Sequence, residues 1–305
     1  MRVIRLVPEN LRLQIRRALI VGWVTIAVVL FVVVVGVSFA HKSIDLSVAD
    51  WGLGTIVLVG ATLSFCAEYV DSTLGMGYGT TLSPLLMLLG FTPAQVVPAV
   101  LGQQLICGVV ASMSHHAVGN VDFRRGRRAI KLALLLGGSA LVGSYLAARV
   151  SLSLEAMTVK LVTGLIVIAM GVVAIVSGRV RLKFSWWRAG VLGLVAAANK
   201  GFMGGGYGPL VTAGQLVVGT GVREAVAVTS LAEALCCVGG LTGYLTSGVG
   251  MFWPLAGGLL LGGVVAAGLS AVTVRAVKPE SLRGAVAACC FALGLLTLLR
   301  VVLGQ

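Results

Sequence analysis

The chain has 305 residues, of which 58% are apolar and 11% charged, and its mean hydropathy is +1.04. Soluble domains carry roughly 25% charged residues, so this composition excludes an ordinary soluble protein and indicates a polytopic helical membrane protein. The net charge of +13 does not indicate a nucleic-acid partner, because the basic residues form short clusters between apolar segments. The six cysteines lie within apolar segments, which is typical of small buried thiols rather than of a disulfide framework.

The N-terminus combines a basic stretch with an apolar run. Five arginines in residues 1–18 precede the apolar residues 19–39. This run is longer than the roughly 7–15 residues of a signal-peptide core, so we expect a retained transmembrane helix. Residues 1–18 are then a basic cytoplasmic N-terminus, and residues 19–50 are an extra helix with an external loop.

Ten further apolar segments fall into two halves, residues 51–178 and 190–305, joined by a basic linker at residues 179–189. The segments of the first half are residues 51–70, 74–89, 94–118, 130–149 and 155–176. Those of the second half are residues 191–203, 207–219, 223–246, 252–275 and 282–303. Three basic clusters between segments fit a cytoplasmic location, so the first half begins outside and the second begins inside. The sequence therefore predicts two repeats of inverted topology.

Each half contains a glycine-rich interruption, which we call a Gly knot. The first knot (residues 75–79) recurs as the second (residues 204–208), with Gly77 and Gly206 lying 129 positions apart. Gln104 and Glu233 match at the same offset without a gap. Paired interruptions of hydrophobic segments indicate the binding site of a secondary transporter. The short segments around the second knot form either a re-entrant hairpin or two tilted spans.

Ionisable residues inside apolar segments are costly and are functional hypotheses by default. Glu68 and Asp71 share one helix face, and Asp71 and Lys200 occupy matching positions of the repeat. One interpretation is an acid–lysine pair, Asp71–Lys200 or Glu–Lys, that holds the two halves together. It is as well supported as a functional role, and it does not exclude a role in gating. His115 and His116 end one segment, where helix capping is favoured over a proton relay or a metal site.

The Gly knots have two interpretations. Gly75 with Gly79, and Gly204 with Gly208, are pairs of small residues that let helices pack closely in lipid. Alternatively, the glycines free backbone N–H groups at the N-termini of half-helices, where the helix dipole helps to hold an anion.

These motifs resemble a known family. Residues 68–79, the His115-His116 pair and residues 119–122 are similar to the first half of the sulfite exporter TauE/SafE-like permeases. Residues 199–210 and 229–233 are similar to the second half, and the resemblance covers roughly residues 51–302. It implies a bacterial inner-membrane transporter of small sulfur-containing anions such as sulfite or organosulfonates, coupled to the proton gradient.

We therefore expect a secondary transporter, not an enzyme, with no cofactor and no bound metal. Its partners are a small oxyanion, protons and the lipid bilayer, and a homo-oligomer is left open. The residues predicted to contact the anion are Gly75, Gly77, Tyr78, Gly79, Asn199, Lys200, Gly204, Gly205, Gly206 and Tyr207. Those predicted to serve proton coupling or gating are Glu68, Asp71, Gln104, Glu233, His115 and His116. The alternatives are an anion channel with glycine-lined filter loops and a metal-handling membrane protein that uses the histidine pair.

Overall fold

The computed structural model describes residues 51–124, 127–153 and 185–277, and the regular secondary structure within these ranges is entirely α-helical. The prediction of an all-α protein is confirmed for this part of the chain. The N-terminal helix expected at residues 19–39 and the segments at residues 155–176 and 282–303 lie outside the described residues. The helices are α1 (Leu53–Leu74), α2 (Tyr78–Leu88), α3 (Pro93–Val118), α4 (Arg127–Ser151), α5 (Trp186–Met203), α6 (Tyr207–Val217), α7 (Val222–Leu245) and α8 (Trp253–Ala276).

The helices have the length and the surface of membrane spans. Five of them, α1, α3, α4, α7 and α8, are long and apolar enough to cross a bilayer. Large apolar side chains also cover the outside of the bundle, where Trp187 is 79% exposed, Trp253 75% and Leu58 68%. Contact between such an apolar surface and water is unfavourable, whereas its contact with lipid tails and with the membrane interface is favourable. The protein is therefore a multi-pass membrane protein.

Glycine ends one helix and begins the next at each Gly knot. Gly75 caps α1 with a φ of 72°, and Gly204 caps α5 with a φ of 74°. Gly77 and Gly206 precede α2 and α6 with φ values of 124° and 84°. Residues with a side chain rarely adopt these conformations, so the sequence breaks the apolar segments at the places where glycine occurs.

The short helices α2 and α6 fold back along the helices that precede them. Each has 11 residues and spans about 16 Å, roughly half the hydrocarbon thickness of a bilayer. The Tyr78 hydroxyl lies 2.9 Å from the Ser64 hydroxyl on α1, and the rings of Trp51 and Phe91 are 6.3 Å apart. The end of α2 therefore lies near the beginning of α1, so the chain reverses its direction at the first Gly knot.

The backbone repeats with the period found in the sequence. Helices α2 and α6 have equal length and begin 129 residues apart. The glycines of positive φ among the described residues also form pairs at this offset, namely Gly75 and Gly204, Gly77 and Gly206, Gly90 and Gly219, and Gly119 and Gly248. Helix α1 packs along α8, and α5 packs along α4, so the first helix of each half lies against the fourth helix of the other.

Candidate functional site

The two Gly knots lie against each other, backbone to backbone. A β-carbon added at Gly205 would overlap the backbone of Gly79, and one added at Gly208 would lie only 2.8 Å from the Cα of Met76. The Thr212 hydroxyl on α6 donates a 2.8 Å hydrogen bond to the carbonyl oxygen of Gly75, which ties the second hairpin to the first. The tips of both hairpins therefore meet inside the bundle, where the close approach requires residues without a side chain.

A buried ion pair lies next to the second knot. The Lys200 Nζ is 2.6 Å from the Glu233 Oε1, and it also donates a hydrogen bond to the side-chain oxygen of Gln104. The Gln104 amide donates in turn to Glu233 at 3.2 Å, so two residues at matching positions of the repeat bond to each other. Of the two predicted pairings of Lys200, Asp71–Lys200 or Glu–Lys, the structure shows a Glu–Lys pair with Glu233 as the acid. The Asp71 carboxylate instead accepts a 3.2 Å hydrogen bond from the backbone N–H of Tyr78.

The acids of α1 have their own partners. Glu68 accepts hydrogen bonds from the hydroxyl of Ser72, one turn further along α1, and from the amide of Gln103 on α3, at 2.9 Å for the latter. Asp71 accepts from the first residue of α2, so its negative charge lies at the positive end of that helix dipole. From the sequence, no role is predicted for Ser72 and Gln103. Their polar side chains inside apolar segments are the signal by which the sequence could have identified them.

Four of the residues predicted for proton coupling line one small cavity. The cavity has a volume of about 10 Å³, which is room for about one water molecule. It is lined by Glu68, Asp71, Ser72, Gln104, Gly108, Ser230 and Glu233. Three carboxyl groups from α1 and α7 therefore gather around one space, next to a single lysine.

Asn199 is buried without a hydrogen-bond partner at the second knot. The residue has no exposed surface, and both its amide nitrogen and its amide oxygen lack a partner among the described residues. The nitrogen lies so close to Gly206, the N-cap of α6, that a β-carbon there would overlap it. Tyr207, the first residue of α6, is equally buried, and its hydroxyl also lacks a partner within the described residues. Unpaired buried polar groups are rare and require an explanation.

The two adjacent histidines face different surroundings. The His115 Nε2 is 2.9 Å from the carbonyl oxygen of Ser72, and its Nδ1 is 2.9 Å from the Asn120 amide nitrogen. The His116 Nδ1 is 3.2 Å from the carbonyl oxygen of Val121, and His116 lines a separate cleft of about 600 Å³. His115 therefore joins the polar network of α1, whereas His116 does not. Within the ranges that the structure describes, no group of three His, Cys, Asp or Glu residues is arranged to hold a metal ion.

Comparisons with known proteins identify the family. A family model described as "Sulfite exporter TauE/SafE" matches residues 59–297. The probable membrane transporter protein YtnM of Bacillus subtilis (strain 168) is 26% identical over 238 residues, which cover 73% of this chain and 76% of YtnM. The probable membrane transporter protein YdhB of the same strain is 25% identical over 203 residues, covering 63% of this chain and 79% of YdhB. No solved structure matches the chain. The match to the family model and the apolar helices together show that the chain belongs to the sulfite exporter TauE/SafE family, and that it is a membrane transporter and not an enzyme.

Proposed function

We propose that this protein is a proton-coupled secondary transporter of small sulfur-containing anions, such as sulfite or organosulfonates, in the inner membrane of a bacterium. The observation that carries the proposal is the fully buried Lys200 next to the second Gly knot, where Asn199 has no partner among the described residues. Intramembrane cations are costly and mark the pathways of substrates and ions. An anion is the ligand that such a charge favours.

The proposed anion seat is the start of α6. A helix N-terminus offers free N–H groups and the positive end of the helix dipole. Asn199 adds an amide nitrogen against Gly206, and Lys200 adds a full positive charge from the preceding helix. Small tetrahedral or pyramidal oxyanions present several acceptor oxygens to these donors. The tight contact of the Gly knots leaves little room, which favours small substrates over large ones.

Proton coupling follows from the balance of charge. Lys200 is already compensated by Glu233, so an incoming anion would add an uncompensated negative charge to a buried site. A proton on Glu233 removes the competing carboxylate and leaves the ammonium for the anion. We therefore propose that one proton enters with each anion and that both move in the same direction.

The proposed transport cycle uses the repeat. With the halves inverted in the membrane, as the basic clusters favour, rocking of one half against the other would expose the site to either side in turn. Cysteine labelling tests this orientation. Cysteines at Gly126 and at Arg181 should react with an impermeant maleimide only from the cytoplasm, and one at Ser47 only from outside. Labelling of Ser47 and Arg181 from the same side would contradict inversion, because the two halves would then begin on one side of the membrane.

Flux measurements test the function itself. Purified protein in liposomes should take up radiolabelled sulfite, thiosulfate or a short sulfonate, and an inward proton gradient should accelerate the uptake. The variant Lys200→Ala should abolish this flux, because the seat loses its positive charge. Currents much faster than transporter turnover, with no dependence on the pH gradient, would instead indicate a channel. Absence of flux and of binding for all three anions would overturn the proposed substrate class.

A further inference from the structure

The starts of α2 and α6 are matching places in the repeat, but they are occupied differently. At the start of α2, the Asp71 carboxylate accepts a hydrogen bond from the N–H of Tyr78. A carboxylate in this position satisfies a free donor and lies at the positive end of the helix dipole, as a bound anion would. Because Asp71 is anchored on α1, this carboxyl group is a permanent part of the protein.

The start of α6 has no such carboxylate among the residues that the structure describes. The residue that matches Asp71 is Lys200, whose ammonium donates hydrogen bonds to Glu233 and Gln104. Asn199 stands at this place instead, fully buried and without a partner in the described ranges, with its amide nitrogen against Gly206. The matching residue in the first half is the apolar Val70. An unpartnered polar group is therefore found at the half-helix that lacks the built-in anion.

We infer that Asp71 is a tethered substitute for an anion at the start of α2, which leaves only the start of α6 for a transported anion. The inference rests on the proposed function for the identity of the second seat. It explains why the repeat carries an acid in one half and a lysine in the other. Each half-helix N-terminus needs one negative charge, and the protein supplies one of the two itself.

The test is the number of formate ions bound per chain, since formate has the size and charge of the carboxylate that Asp71→Ala removes. Equilibrium dialysis of the purified full-length protein with radiolabelled formate measures this number. We expect Asp71→Ala to bind one formate more than the wild type. The additional site should be at least about tenfold weaker than the site at α6, because Val70 offers no hydrogen bond to an ion. The matched control is Asp71→Asn, in which the amide fills the same space, and it should bind the same number as the wild type.

The outcomes separate this inference from the proposed function. If Asp71→Ala and the wild type bind the same number of formate ions per chain, the inference is overturned, whatever that number is. A wild-type number of zero overturns the anion seat at α6. A second comparison serves if Asp71→Ala does not fold. The variant Asn199→Asp places a carboxylate against Gly206 at the start of α6 while Lys200 is kept, and it should bind one formate fewer than the wild type. Equal binding by Asn199→Asp and the wild type also overturns the inference.

Discussion

The substitution Glu233→Gln should remove the pH dependence of anion binding. In the wild type, Glu233 lies 2.6 Å from the Lys200 ammonium, where on the proposed mechanism it would compete with the anion. If one proton must bind with each anion, linkage requires the wild-type affinity to fall as the pH rises, by up to about tenfold per pH unit. The amide that replaces the carboxylate keeps the shape of the side chain but carries no charge. The affinity of this variant for a short sulfonate, whose own charge does not change in this range, should therefore vary less than about twofold between about pH 5.5 and 8, because no proton has to bind at this position.

The same variant should be less stable than the wild type, and an anion should restore much of the loss. Removal of one partner from a buried ion pair typically costs about 3–5 kcal/mol, because the other charge is left uncompensated. Gln104 still accepts a hydrogen bond from Lys200, so we expect the lower end of this range. An anion at about 100 times its Kd restores about 2.7 kcal/mol, equivalent for a chain of this length to an increase in Tm of roughly 4 °C.

Isothermal titration with a short sulfonate at several pH values measures the first effect, and thermal unfolding with and without the sulfonate measures the second. The control is Glu224→Gln, which removes an acid from the first turn of the same helix, where it lines the separate cleft of about 600 Å³. This control should keep the wild-type pH dependence. A Glu233→Gln variant whose sulfonate affinity still falls with rising pH as steeply as that of the wild type would refute the role of Glu233 as the coupling residue.

Two further predictions concern the buried pair and the contact between the Gly knots. Lys200→Ala/Glu233→Gln should recover most of the free energy of unfolding that Lys200→Ala loses, since no unpaired charge remains, yet it should transport no sulfite; recovered flux in liposomes would contradict the proposed role of Lys200. Gly205→Ala should destabilise the protein by about 2 kcal/mol or more, because its methyl group would overlap the backbone of Gly79. Gly138→Ala, whose methyl group meets no atom within 4 Å, should be neutral or slightly stabilising, and equal thermal stability of the two variants would contradict the contact.

The sequence by itself determined the class of the protein and the position of its irregular backbone. An apolar composition with few charges is incompatible with a soluble fold, and apolar runs of about twenty residues fit the thickness of a bilayer. Gly75, Gly77, Gly204 and Gly206 were recognisable as breaks because positive φ values are accessible mainly to glycine. The internal repeat was visible for the same reason. These features are local, or depend only on spacing along the chain, so no knowledge of the packing was needed to find them.

Which charged side chains contact each other could be learned only from the packing of the helices. From the sequence, Lys200 could pair with Asp71, at the matching position of the repeat, or with a glutamate. The packing of α3 against α7 brings Gln104 and Glu233 to Lys200, whereas the return of α2 along α1 brings the N–H of Tyr78 to Asp71. A side chain pairs with what the neighbouring helices present to it, and this depends on the position and rotation of those helices. Spacing along one chain does not contain that information, so the partners of the buried charges became known only from the fold.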